Sequence, residues 1–413
     1  MKYWRSLLAA GLIALFSWAL IRFAAGHSTL IDMVYPYVTR TLQTTRTSWT
    51  SGADFVLWQV LLTVLIAAAV VTGILMLLLR WNVFQWLGWV LTVAAVIFLL
   101  NTGVYGLNAY ADSVAGDLRM EVTEFNLEEL EAAAVYFRDQ ANDHAIMAGR
   151  DADGQPDFGS FEEMTLQAGN GFKTLVYEES YSVFAGSTLP VKQLSWAGLY
   201  NGKTGVTCGL TGEAAVNPNV PTAAMPFAIC KEMAKRMCIL AEDDAVFSAV
   251  LAARANTEPD FRYSGYLMAY RSCYLALLSI NSNASVAAAQ RLEAGVSDPV
   301  AQDLKAINKF VGDEVAAPNR ISGLVEEQSR PTTCDLLVSW YIQEFILPTQ
   351  VEQDSRFDPY DENSVDLSGI VNGPNPVVPS TPTVSTIPST TTPAATAPAT
   401  TAPQENANAQ NGQ

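Results

Sequence analysis

Three long apolar runs near the N-terminus most constrain how this chain can fold. They cover residues 7–25, 55–79 and 83–105, and each is close to the ~20 residues with which an α-helix crosses a bilayer. Tryptophan and tyrosine side chains at their ends suit the membrane interface. The first run could instead be a cleaved signal peptide, but it lacks a good A-x-A cleavage site and contains Arg22. The sequence therefore predicts three transmembrane helices within residues 1–107.

The basic residues that flank these runs indicate their orientation only weakly. Lys2, Arg5 and Arg80 would be cytoplasmic if the N-terminus is inside, whereas two further arginines would lie outside. Three spans would then place everything after about Tyr110 on the outer side. We expect a multi-pass protein of the cell membrane whose large domain, residues 108–367, is extracytoplasmic.

The C-terminal segment has a composition that cannot build a core. From about Pro374 it consists of Pro, Thr, Ser and Ala, and it ends in an Asn/Gln/Ala stretch with almost no charge. Such a segment buries too little apolar surface to fold. Residues 368–413 are therefore predicted to form a disordered tail. Because no wall-sorting motif is visible, we interpret this tail as a spacer and not as an anchor.

The acidic excess of the chain belongs to the part that follows the membrane runs. Residues 1–109 contain six Lys/Arg and two Asp/Glu, and the remainder contains 18 basic and 39 acidic residues. An excess of this size argues against nucleic acid or anionic lipid as a partner. It is compatible with a cationic partner or calcium, although the sequence has no calcium-loop pattern.

All five cysteines fall in the predicted external domain: Cys208, Cys230, Cys238, Cys273 and Cys334. Outside a cell they could form disulfides with one thiol left over, or they could be buried free thiols of a helical core. Cys230 and Cys238 cannot bridge each other on one straight helix, because eight residues span ~12 Å. Without a C-x-x-C spacing, zinc ligation by cysteine is not indicated.

Cap and turn signals predict a mainly helical external domain. Asn126 followed by Leu-Glu-Glu has the capping-box pattern and predicts a helix to about His144. Ser160 with Glu163 predicts the start of a second helix. Further helices are predicted at residues 244–255, 262–278, 299–310 (with Asp298 as the N-cap) and 333–345.

A small β element and a helix are predicted between these parts. Asn201-Gly202 lies between Leu199-Tyr200 and residues 203–207, and this pair predicts a tight hairpin. Pro226 is a favourable first-turn residue for a helix that runs to about Leu240.

This helix contains the motif on which the functional interpretation depends. Residues 230–236 read Cys-Lys-Glu-Met-Ala-Lys-Arg. The spacing matches the H-E-x-x-H zinc-peptidase motif, in which two histidines bind the metal and the glutamate is the general base. Here Lys231 and Lys235 stand at both histidine positions, and Glu232 is retained.

Segments on both sides of the motif carry a wider resemblance: residues 209–218, 225–230, 239–245, 260–267 and 334–340. They resemble the bacterial membrane-protein family called domain of unknown function 3810, in which H-E-x-A-H is followed shortly by E-x-x-A-N. We extend the similarity from the first membrane segment to about Trp340. The resemblance implies three membrane helices and a zincin-like metallopeptidase domain of undefined substrate. In such scaffolds an edge strand before the motif helix can hold an extended peptide.

The resemblance assigns a former role to four residues. Lys231 and Lys235 occupy the two histidine-ligand positions, Glu232 the general-base position and Glu242 the position of the third ligand. A lysine ammonium has three donors and no lone pair for a metal, and neither histidine of the sequence lies near the motif. We therefore expect a vestigial catalytic site without a metal or other cofactor, the zinc implied for the family having been lost.

Two environments are open for the lysines. They could pair with Glu232 and Glu242 in a salt-bridge cluster that replaces the charge of the metal. They could instead point into solvent on a charged helix face. Because Glu242 lies ~10 Å beyond Lys235 along a straight helix, a shared site requires a bend near residues 237–241.

Together these patterns predict a mainly α protein with three N-terminal transmembrane helices, a helical zincin-like external domain with a small β element, and a tail. The preferred function is a pseudoenzyme that binds a peptide, a cell-wall component or a membrane partner. Two alternatives remain open. One is an active membrane-bound peptidase that uses Glu232 and Glu242 in a non-standard site, or a lysine of depressed pKa as a base. The other is a structural spacer protein that carries the tail outwards.

Overall fold

The computed structural model describes residues 4–312, 317–322 and 329–348. These residues form thirteen α-helices and one three-stranded sheet. The predicted mainly α fold with a small β element is therefore confirmed. The predicted tail at residues 368–413 and the flanking Lys2 lie outside the described residues.

Three N-terminal helices are long and apolar enough to cross a membrane: α1 (Trp4–Ala25), α3 (Leu57–Leu78) and α4 (Val83–Val104). They coincide with the three apolar runs, so this prediction is confirmed. α1 packs closely against α4, because Gly88 has no side chain to keep Ser6 away. At the same place the Thr92 hydroxyl donates to the Ser6 carbonyl at 3.0 Å.

A further helix, α2 (Ser28–Thr50), connects α1 to α3 and was not predicted. Its composition is rich in threonine and polar residues, so it forms no apolar run like those of α1, α3 and α4. Two of its buried side chains bond to the domain that follows α4: the Gln43 amide donates to the Gly209 carbonyl at 2.8 Å, and the Thr47 hydroxyl donates to the Gly212 carbonyl at 2.7 Å. Tertiary contacts therefore hold this segment in place.

The domain that follows α4 is built from helices of four to 22 residues: α5 (Val114–Asp117), α6 (Leu127–Met147), α7 (Phe161–Tyr177), α8 (Met225–Arg236), α9 (Glu242–Arg254), α10 (Pro259–Ile280), α11 (Asn283–Ala294), α12 (Asp298–Val311) and α13 (Thr333–Tyr341). α13 continues into a π-helical turn (Ile342–Ile346). α10 is the central helix and packs against α6, α8, α9 and α11.

The predicted helix starts are mostly confirmed. Capping boxes open α6 at Asn126 and α7 at Ser160. The N-cap of α12 is Ser297 and not Asp298, because the helix begins one residue before its proline and Asp298 is its first residue. α11 was not predicted, although Ser282 caps it with a side-chain bond to the backbone of residue 285.

The sheet has the strand order β1-β3-β2. β1 (Lys192–Gln193) is parallel to β3 (Glu213–Val216), and β2 (Gly205–Cys208) is antiparallel to it. The hairpin therefore turns at residues 209–212, where Gly212 has a φ of +72°. The predicted hairpin at Asn201-Gly202 is wrong, because the residues before that pair form a 3₁₀ turn (Ala197–Tyr200) and not a strand.

The motif helix α8 ends at Arg236, about four residues earlier than predicted. Cys238 has a φ of +73°, a left-handed conformation that cannot continue a helix. α9 then begins at Glu242. The bend that a shared site requires is therefore present, and Cys230 and Cys238 do not lie on one straight helix. Every residue of α8 except Lys235 is buried, so this helix belongs to the core.

Candidate functional site

A cleft of about 740 Å³ lies over the motif helix. Strand β2 and the residues just before it line one side. Lys231 and Lys235 of α8, the first residues of α9, part of α10 and the start of α13 line the rest. The sequence-predicted residues Lys231, Lys235 and Glu242 all reach this cleft.

Lys231 and Lys235 share one carboxylate. The Lys231 Nζ lies 2.7 Å from Glu242 Oε1, and the Lys235 Nζ lies 2.6 Å from Glu242 Oε2. The side chains of Lys231 and Lys235 are 9% and 19% exposed, whereas that of Glu242 is 60% exposed. The predicted salt-bridge contacts are therefore confirmed, and the alternative of two solvated lysines is wrong. Glu242 covers the lysines from the solvent side.

The charges of the two lysines control the protonation of Glu242. Desolvation would raise the pKa of Glu242, but the nearby Lys231 and Lys235 outweigh it and lower that pKa to about 2. Desolvation would likewise lower the pKa of Lys235, but Glu232 and Glu242 raise it above its ordinary value. Lys235 therefore remains an ammonium and is not the lysine of depressed pKa that a base would need.

Glu232 lies behind the lysines and is fully buried. The Thr207 hydroxyl donates to its Oε2 at 2.8 Å, and its Oε1 lies 3.9 Å from the Lys235 Nζ. Within the described residues Oε1 accepts no hydrogen bond. Desolvation raises the pKa of Glu232, and the charges of Lys235 and Lys231 only partly oppose this. Gly205 makes room for this carboxyl, because a Cβ there would meet the Glu232 side chain at 2.5 Å.

Residues next to the membrane helices hold the bend that brings Glu242 back over α8. The hydroxyl of Tyr105, at the end of α4, donates to the Lys235 carbonyl at 2.9 Å. The Nε of Arg40, on α2, donates to the Met237 carbonyl at 3.1 Å. These bonds satisfy carbonyls that the end of α8 leaves without an intrahelical partner. No local sequence pattern indicates either contact, because Tyr105 and Arg40 are each more than 100 residues from the carbonyl that they bond.

Among the described residues, the outer edge of β2 pairs with no other strand and borders the cleft. In the antiparallel pair with β3, the Asn217 N–H donates to the Thr204 carbonyl, and Gly205 and Thr207 stand opposite Val216 and Ala214. The direction of the backbone hydrogen-bonding groups alternates from one residue of a strand to the next. The N–H and C=O of Gly205 and Thr207 therefore point away from β3. β2 is the last strand of the sheet on that side, and both residues line the cleft.

Lys231 and Lys235 do not fit zinc. Two ammonium groups offer no lone pair to a metal, and both donate to Glu242. Among the described residues, no group of three His, Cys, Asp or Glu side chains could hold a metal ion. All five cysteines are free thiols, and all are buried except for the half-buried Cys208. They form no metal-binding group among the described residues.

Lys203 and Arg271 also line the cleft and were missed by sequence reasoning. Lys203 lies two residues before β2, and Arg271 lies in the middle of α10, which reads as an ordinary buried helix. The Arg271 guanidinium bonds to the Asn308 amide oxygen and to the Gly312 carbonyl. No local pattern distinguishes these residues, because only the packing of α10 against α8 brings them to one cavity.

A family model described as protein of unknown function (DUF3810) matches residues 31–326, more than two thirds of the chain. The match begins after α1 and ends before α13, so it is narrower than the similarity that we extended to about Trp340. No curated protein and no solved structure matches the chain.

Proposed function

Because the chain belongs to the family of proteins of unknown function DUF3810, for which no activity is given, we propose its function from the cleft itself. The protein is a membrane-anchored pseudoenzyme whose external domain, residues 108–367, binds an extended peptide. Three candidate membrane spans supply the anchor. Lys231, Lys235 and Glu242 are the former metal-ligand positions, and Glu232 is the vestigial general base.

The free edge of β2 is the observation that carries this proposal. An extended peptide adds to a sheet edge through main-chain hydrogen bonds, and neighbouring pockets select its side chains. The outward N–H and C=O groups of Gly205 and Thr207 are suited to accept such a strand. They border a cleft of about 740 Å³, which falls within the range of ~300–1,000 Å³ of small-ligand pockets. A protein that served only as a spacer would need neither feature.

The chemistry of the cluster supports binding without hydrolysis. Zinc peptidases use the metal to activate water, and the ammonium groups of Lys231 and Lys235 cannot replace that function. A general base can also be a buried glutamate with a raised pKa. The raised pKa of Glu232 is therefore the observation that favours the alternative of an active hydrolase. Within the described residues, however, Glu232 bonds only to Thr207 and neighbours no metal site.

We predict that binding to the β2 edge depends on alternate peptide N–H groups. The full-length protein in detergent would be immobilised and exposed to random capped hexapeptides, and the best ligand would be resynthesised with N-methyl groups at odd or at even residues. Only one of the two series should lose affinity, by about tenfold or more, because only every second residue faces β2. The affinities are measured by isothermal titration calorimetry.

The unaffected N-methyl series is the matched control, since it carries the same number of methyl groups. Equal losses in both series would show that the peptide is not held as a strand. If the immobilised protein retains no peptide from the library, the proposed function is wrong.

We further propose that the N-terminus is cytoplasmic and the large domain extracytoplasmic. The carboxylate of Glu213 accepts the backbone N–H groups of Leu57 and Trp58 at 2.9 and 3.0 Å, so the start of α3 adjoins the sheet. The end of α4 adjoins the same domain through Tyr105. Both contacts support a three-span arrangement in which Arg80, between α3 and α4, lies on the side opposite to the domain.

This topology predicts that protease added to intact spheroplasts removes the chain after about residue 110. A tag at the N-terminus should remain protected until the membrane is permeabilised. The digestion is followed by immunoblotting against tags at both ends. Complete protection of the region after residue 110 in intact spheroplasts would reverse the orientation.

A further inference from the structure

The cleft has a charge of opposite sign to the domain that contains it. Among the described residues, four cationic side chains line it: Lys203, Lys231, Lys235 and Arg271. The acidic side chains among these described lining residues are Glu242 and Asp243. The chain as a whole carries a formal net charge of −17. A cationic pocket in an acidic protein concentrates anionic ligands, because the low-dielectric walls focus the local field.

The acidic side chains of the cleft are already engaged. Asp243 Oδ1 accepts from both the N–H and the hydroxyl of Thr333, at 2.8 Å each. Glu242 is shared between the two lysines. Within the described residues, two ammonium groups thus share the one lining carboxylate beside them.

The lysine ammonium groups have donors to spare. Each ammonium has three N–H donors. Among the described residues, the Lys231 Nζ donates one hydrogen bond, to Glu242, and the Lys235 Nζ also donates one, to the same carboxylate. The Lys231 side chain is only 9% exposed, and it lines the cleft. A shielded ammonium with unused donors favours an acceptor that enters from the cleft.

We propose that the peptide bound along β2 carries a carboxylate that docks on the lysines of the cleft. This inference rests on the proposed function and names its ligand class: an extended peptide with an acidic side chain or a free C-terminus. Lys231 and Lys235 receive the carboxylate at the floor of the cleft. Lys203, exposed and two residues before β2, contributes its charge at the rim.

The carboxylate is tested with three degenerate peptide pools that differ by one functional group: Ac-XXEXX-NH₂, Ac-XXQXX-NH₂ and Ac-XXQXX-OH, in which X is any neutral residue. The full-length protein in detergent is incubated with equal amounts of the pools, and the retained peptides are quantified by mass spectrometry. We expect at least one acidic pool to be retained about tenfold or more above the neutral amide pool, as for a hydrogen bond to a charged group.

The three pools test the carboxylate contact and peptide binding itself separately. Enrichment of the glutamate pool assigns the carboxylate to a side chain, and enrichment of the free-acid pool assigns it to a C-terminus. Equal retention of all three pools overturns the carboxylate inference and leaves peptide binding intact. Retention of none overturns both.

Substitutions of the lysines locate the interaction. Lys203→Gln and Lys231→Gln should each lower the ratio of acidic-pool to neutral-pool retention by about fivefold or more. Lys305→Gln is the matched control, because Lys305 is an exposed lysine of α12 outside the cleft. Lys203 is exposed, so its substitution keeps the test valid if Lys231→Gln does not fold. An acid preference that survives both cleft substitutions would place the carboxylate elsewhere and overturn the inference.

Discussion

Replacing both lysines of the motif helix by histidine is expected to produce a protein that binds about one zinc ion per chain. In the Lys231→His, Lys235→His variant, two imidazoles four residues apart face the carboxylate that now bonds both ammonium groups. Two histidines and a glutamate form a known zinc-ligand set. A histidine side chain is shorter than a lysine side chain. A zinc ion bound about 2.0–2.1 Å from the imidazole nitrogen would fill much of the space that the ammonium group leaves. Zinc content is measured by elemental analysis after dialysis.

Two added substitutions distinguish the roles of the two glutamates in this variant. Adding Glu242→Gln removes the third ligand and should weaken zinc binding by about 100-fold or more. Adding Glu232→Gln should leave the zinc content unchanged, because the proposed role of Glu232 is that of a general base and not of a metal ligand. The parent protein, treated identically, should contain no stoichiometric zinc. A double-histidine variant that folds but binds no zinc would show that the cluster does not descend from a metal site.

The substitution Glu242→Ala is expected to destabilise the protein by about 2 kcal/mol. Removing one partner of a fully buried pair costs ~3–5 kcal/mol, whereas an exposed pair contributes ~0–1 kcal/mol. Glu242 is itself 60% exposed, but the two lysines that it would leave unpaired are shielded, so an intermediate value follows. Thermal melting of the detergent-solubilised protein should show a midpoint lower by about 4–8 °C.

Glu128→Ala is the matched control for this measurement, because Glu128 is an exposed glutamate in the first turn of α6 that forms no ion pair among the described residues. It should lower the midpoint by much less, since it loses only an interaction with the helix dipole. A midpoint that scarcely moves for Glu242→Ala would mean that the lysines are solvated once the carboxylate is gone.

The contribution of Glu242 should also depend on pH. Its folded-state pKa is about 2, below the ordinary value of ~4.3 for an unfolded chain. A depressed carboxyl pKa stabilises the fold above the unfolded value, and this stabilisation decreases as the pH falls towards about 2. The stability difference between the parent and Glu242→Ala should therefore be largest at neutral pH and shrink below about pH 4.5. A difference that stays constant down to pH 3 would contradict the charge-pair explanation.

Local patterns predicted most of the helical fold. The three apolar runs, the capping boxes at Asn126 and Ser160 and the motif helix depend on residues within a few positions of each other, and the structure contains all of them. The errors occurred where local signals were weak or misleading. α2 is too polar to form an apolar run, and Asn201-Gly202 is a turn that does not join two strands.

The sequence by itself determined the three long apolar helices, the helical class and the presence of lysine at positions 231 and 235, because each of these follows from residue type and short spacing. Only the tertiary structure decided that Lys231, Lys235 and Glu242 meet, since this requires a left-handed residue at Cys238 and contacts from Tyr105 and Arg40. The cleft likewise combines residues from position 105 to position 333. Contacts over such separations depend on how helices and strands pack, and no local periodicity encodes them.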